Sequence, residues 1–221
     1  HNAHELILDI KKYGTYPHHH GRDSFNKFKI IPKLLLDGKV SVGTIVLGGF
    51  DYHDSTRATG EIQDEMAGKL IGMTLQLAAL KQKNIFIYVI TDGGIGITTG
   101  THIDDSELGG GKMAWTGDAG FQGCSYSLVY KHDNKIKIKD TGRQIGHFYD
   151  FKHRIATTYY DSVGNNPSAG LISNSTTNLG KAIIANYLAL YGEEGKLAEI
   201  VGNNPFGNDL EKYLIFDKSF E

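Results

Sequence analysis

The chain has 221 residues with 23 Lys and Arg against 25 Asp and Glu, and this near-neutral balance argues against a general nucleic-acid binder. No apolar run reaches the ~20 residues that a membrane-spanning helix needs, and a single cysteine, Cys124, rules out an intrachain disulfide. The 40% hydrophobic content is ordinary for a globular protein, and the length fits one large domain or two small ones, with burial of roughly 70% of the surface feasible. No linker-like boundary divides the chain, so a single domain over residues 1–221 is expected.

The chain opens on His1 rather than Met, and its first residues do not read as a signal peptide. The expectation is therefore a chain that is processed, truncated or the visible part of something longer. "HELILDIKK" at residues 4–12 has Leu6, Ile7 and Ile10 at helical spacing, with lysines at the end that suits the helix dipole. The run His18-His19-His20 follows in a loop beside Pro17. Three adjacent residues do not face one ion without an unusual backbone, so a solvated polar turn is preferred. Residues 25–39 read as a short helix interrupted at Pro32 and closed by Asp37-Gly38.

"VGTIVL" at residues 42–47 is a β-branched run that reads as a buried strand. Residues 61–83 give the clearest helix: Ile62, Met66, Leu70, Met73, Leu77 and Leu80 recur every three or four positions. Glu61, Asp64 and Glu65 sit at its start, with Lys81 and Lys83 at its end. "IFIYVI" at residues 85–90 is a continuous apolar run, as expected of a strand covered on both faces. Strand, helix and strand make a βαβ unit with parallel strands. The fold expected is thus a largely parallel sheet flanked by helices.

That topology sends both strands to one edge of the sheet, where open α/β sheets bind ligands. "LGGFDYHDS" (residues 47–55) leaves one strand and "TDGGIG" (residues 91–96) leaves the other. Asp51, His53 and Asp92 would meet there. Carboxylate and imidazole together suit zinc, manganese or iron, whereas carboxylates alone suit magnesium or calcium. The opposing reading is that Asp51 and Asp92 only cap turns or helix starts.

Residues 93–123 are glycine-rich and aperiodic, as functional loops often are. "ELGGGKMAWTGD" could offer backbone N–H groups and Lys112 to an anion, but the Walker A spacing is absent and a flexible loop is the preferred reading. Residues 124–140 read as strand, turn at 132–134, and strand. Were the first to run antiparallel to residues 85–90, Asp118 would come near Asp92. Cys124 reads as a buried, inert thiol. Residues 142–171 are polar, aromatic and irregular, and suit a surface wrap or a partner. "NST" at residues 174–176 is a glycosylation sequon, but the hydroxyls read better as the cap of a second helix. That helix carries Leu179, Ile183, Ile184, Tyr187 and Leu188 on its expected inner face. A short helix, "KLAEIVG", and a strand-like "KYLIF" at residues 212–216 end the chain.

"LGGFDYHDS", preceded by "IPKLLLDGKVSVGTIV", resembles the Gly-Gly-aromatic-Asp-x-His motif of a poorly characterised exported bacterial family, sulfatase-like, of the alkaline phosphatase superfamily. "NIFIYVITDGGIG" and "GGGKMAWTGDAGFQGCSYSLVYK" are similar to the later metal-binding turn and the segment after it. The similarity covers residues 31–131 and, more weakly, the C-terminal helix. It implies an alkaline-phosphatase-like fold, a divalent metal ion (zinc, manganese, calcium or magnesium), and cleavage of phosphate or sulfate esters. It implies Asp51, His53, Asp92 and Asp118 as metal ligands and an exported chain, periplasmic or at the cell surface. In a hydrolase reading Lys112 and Asp54 would lie toward an anionic substrate. Gly93 and Ala119 follow the aspartates where that family has histidines. The family's nucleophile follows an early strand upstream of the residues that match, so the resemblance implies the C-terminal part of a longer protein. These departures open a second reading, a non-catalytic surface or assembly protein that forms homo-oligomers through residues 148–160.

Overall fold

A computed structural model describes residues 30–50, 57–91, 94–98, 114–119, 125–139 and 176–221. The chain divides into two compact units, His1–Ile85 with Ile97–Thr116, and Phe86–Gly96 with Gly117–Glu221.

In the first unit, residues 30–36 are α-helical (α1) and end where Asp37-Gly38 forecasts. Gly38 adopts φ +68°, its N–H donates to the Leu35 carbonyl at 3.0 Å, and the Lys39 N–H donates to Leu34 at 2.9 Å. This pair of bonds is a Schellman cap, which satisfies carbonyls that the last turn leaves open. Residues 42–50 then run without regular structure. A Cβ on Gly43 would collide with Ile31, so glycine lets the chain pass close to α1.

The α-helix Arg57–Leu80 (α2) starts four residues before the expected position. Glu61, Asp64 and Glu65 therefore lie beyond its first turn, and Lys81 and Lys83 lie beyond its end. Leu70, Thr74, Leu77 and Ala78 form its buried stripe, at helical spacing. The buried Thr74 hydroxyl is satisfied by donating to the Leu70 carbonyl at 2.8 Å. Ile62 and Leu80, expected inside, are exposed. A second Schellman cap closes α2, from Gln82 to Ala79 at 3.1 Å and from Lys83 to Ala78 at 2.9 Å. Its left-handed position is held by Gln82, φ +53°, which is not a glycine.

Four strands are described: Ile85–Ile90 (β1), Gly94–Thr98 (β2), Ala114–Ala119 (β3) and Ser125–Tyr130 (β4). β1 pairs with β4, and β2 with β3, so the pairings are nested in sequence. Gly94–Gly96 share a unit with Gly117–Ala119, while Ile97–Thr98 share the other with Ala114–Thr116, the division that antiparallel pairing produces.

This arrangement overturns the expected fold. The described residues hold two-stranded, antiparallel sheet and helices, not a largely parallel, alkaline-phosphatase-like sheet. The reason lies in residues 42–47. Val42 and Val46 are each 79% exposed, and the run forms no strand. Gly43 interrupts it and Gly48 and Gly49 follow it, and a short apolar run by itself does not fix strand pairing. Without that strand there is no βαβ unit, and β1 takes β4 as its partner instead. Nor is β1 covered on both faces, since Tyr88 and Ile90 are exposed, as an antiparallel pair permits.

The second unit is built around the helix Thr176–Ala189 (α3). Its core joins Ala182, Ala185, Leu188 and Ala189 to Leu197, Phe206, Tyr213 and Leu214. Leu197 belongs to the short helix Leu197–Val201 (α4), which Gly202 ends at φ +85°. A 3-10 helix, Gly207–Tyr213, carries the chain back to α3. The Asn204 side chain accepts from the Phe206 N–H at 2.9 Å and shapes the turn between them. Phe206 and Tyr213 then pack with ring centroids 4.7 Å apart.

The last residues form a strap rather than the strand-like end expected. Phe216 makes one antiparallel bridge to Ile138, flanked by Lys139 N–H to Ile215 O at 2.7 Å and Asp217 N–H to Lys137 O at 3.1 Å. Farther on, the Leu190 carbonyl accepts from both Ser219 and Phe220, at 2.9 and 2.7 Å.

Candidate functional site

Of the candidate metal ligands, Asp51, His53 and Asp92 lie outside the described residues, as do Asp54 and Lys112. Cys124, the histidine run 18–20 and the aromatic segment 148–160 lie outside them too. Asp118 lies in β3, near the strand end whose backbone is grouped with the start of β2. β2 itself begins two residues after Asp92 in sequence. Among the described residues no group of three or more His, Cys, Asp or Glu side chains is arranged to hold a metal ion.

Several of the described carboxylates work as ion-pair partners. Asp37, just past α1, pairs with Lys33 and with Lys81 beyond the end of α2. Hydrogen bonds from these two ammonium groups lower its pKa to about 2. The contact ties the two helix ends of the first unit together. In the second unit, Lys139 reaches Asp217 at 2.8 Å and Glu211 at 2.9 Å. Bonds to Asp217 and then Glu211 raise the ammonium pKa, because they favour its charged form. Lys131 stands 3.0 Å from Asp133 and holds that carboxyl below its ordinary value. A cation seeking these carboxylates would have to displace a lysine.

The most ordered polar constellation was not legible from the sequence. Asn186 is 2% exposed in the middle of α3. Its Nδ2 donates to the Ala182 carbonyl at 2.9 Å and to the Tyr213 carbonyl at 2.8 Å. Its Oδ1 accepts from the Ile215 N–H at 2.6 Å. Both amide hydrogens and the oxygen are thereby used, and the strap is tied to the helix. The inner face of α3 follows from this. Ile183 and Leu188 are buried and Leu179 packs against the core, as expected, and Ala182, Ala185, Asn186 and Ala189 face it too, while Ile184 and Tyr187 are 37% and 39% exposed. Expectation had Ile184 and Tyr187 inward, because a reading by hydrophobicity turns large apolar residues to the core. Here the small alanines let the returning chain come close enough for one amide to span the gap. A lone Asn in an apolar stripe is the only sequence signal that could have pointed to it.

Tyr187 instead joins an aromatic series. It meets Phe86 of β1 edge-on at 5.5 Å and Tyr191 at 5.5 Å, and Tyr191 meets Phe220 at 5.3 Å. Burial, aided by the Tyr187 hydroxyl, pushes the Tyr191 phenol up to about 12. It stays neutral and is no nucleophile at ordinary pH. An open groove of about 470 Å³ runs along Tyr187, Tyr191 and Phe220, with Ile200 and Lys218 also in its wall.

No helix among the described residues is long and apolar enough to cross a membrane. No family model, no curated protein and no solved structure matches the chain.

Proposed function

We propose that this chain binds a divalent cation, with Asp92 and Asp118 as a ligand pair; Asp51 and His53 are a second candidate donor pair. The observation that carries this reading is the pairing of β2 with β3. The end of β3 holding Asp118 shares a unit with the start of β2, two residues after Asp92. Carboxylate and imidazole donors suit zinc or manganese, and a carboxylate-only subset suits magnesium or calcium. Hydrolysis of a phosphate or sulfate ester is the activity the resemblance implies. A bound ion would neutralise ester oxygens and lower the pKa of an attacking group, with Lys112 and Asp54 toward the anion. An exported location belongs to the same reading. Loss of the parallel sheet removes the topological argument that joined Asp51 and His53 to Asp92, so the two turns are tested separately.

The experiment is elemental analysis of purified protein, before and after supplementation, on wild type, Asp92→Asn, Asp118→Asn and Asp51→Ala. About one or two metal equivalents per chain, lost in Asp92→Asn and Asp118→Asn alike, is the expected result. Loss in Asp51→Ala as well would join the turns into one site and justify a phosphatase and sulfatase screen. No metal in any sample would overturn the reading.

A second reading, a non-catalytic assembly protein forming homo-oligomers, draws on the apolar side chains presented by the described residues. Val42 and Val46 project from irregular chain, and Ile90 at the end of β1 is 65% exposed. Sedimentation over a hundredfold concentration range tests it, and a monomer throughout would remove it.

A further inference from the structure

We draw no further inference here: the strongest candidate, the open groove along Tyr187, Tyr191 and Phe220 beside α3 and α4, is an apolar face whose rim carries Glu193 and Glu221 against Lys196 and Lys218 and so favours no ligand charge, and nothing in the structure shows what covers it.

Discussion

Replacing Asn186 should cost the second unit much of its stability, and the size of the loss follows from its three hydrogen bonds. In Asn186→Ala the Ala182 carbonyl keeps its place in the helix ladder. The Tyr213 carbonyl and the Ile215 N–H lose their side-chain partner. Tyr213 is buried, so its carbonyl stays dry, whereas Ile215 is half-buried and water reaches it in part. An orphaned buried group costs about 1–3 kcal/mol, so the pair gives about 3 kcal/mol. At about 2–4 °C per kcal/mol for a chain of this length, Tm should fall by roughly 6–12 °C. Urea unfolding followed by far-UV circular dichroism reads the loss directly. Asn186→Leu is the companion variant, because it restores most of the volume and none of the hydrogen bonds, and it should be about as unstable. Should Asn186→Leu match wild type within ~0.5 kcal/mol, the amide fills space and the hydrogen-bond argument is wrong. Asn186→Asp adds a pH signature. Its carboxylate can accept from Ile215 but faces two carbonyls, so its pKa is raised in the folded state. This variant should be least stable at neutral pH and should recover as acid protonates it.

Asp37 should set part of the acid limb of stability. Its folded-state pKa of about 2 lies below the ordinary 3.8, so its contribution is complete above about pH 4 and is lost as pH falls toward 2. Asp37→Asn should flatten the urea midpoint over that window, and an unchanged slope would show that the lysine contacts carry nothing. Lys139 has the opposite sign. Its contribution is present below 10.5 and is lost as pH rises through its elevated value, so Lys139→Met should weaken the alkaline limb. At neutral pH that variant should cost less than ~1 kcal/mol, because solvent screens the pair. Gln82→Gly should stabilise the chain. Relief of the ~1–2 kcal/mol left-handed cost outweighs the ~0.5–1 kcal/mol entropy cost of glycine, for a net gain of about 0.5–1 kcal/mol in urea melts. Gly192→Ala should do the reverse, since Gly192 sits at φ +71° with the Lys218 Cδ 3.0 Å from where a Cβ would stand. A loss below ~0.5 kcal/mol there would mean that this left-handed position tolerates a side chain.

Much of the local structure follows from the sequence alone. The period-3.6 pattern of residues 61–80 gives α2, Asp37-Gly38 and Gly202 mark helix ends, and the apolar run at 85–90 gives β1. These features depend on neighbours a few positions apart: side chains sharing a helix face, or a glycine free to turn left-handed. Residues 42–47 show where such local reasoning ends. Their β-branched composition permits a strand, yet a strand exists only when a distant segment supplies its hydrogen bonds. β1 finds that segment in β4 at 125–130, and residues 42–47 find none among the described residues. The expected meeting of Asp51, His53 and Asp92 rested on that one pairing. The inner face of α3 was likewise a tertiary decision. Hydropathy favours Ile184 and Tyr187 for burial, but an amide that satisfies a carbonyl and an N–H of the returning strap makes Asn186 the residue that belongs inside. Sequence spacing determines which residues share a face, and only the chain that packs against it decides which face is buried.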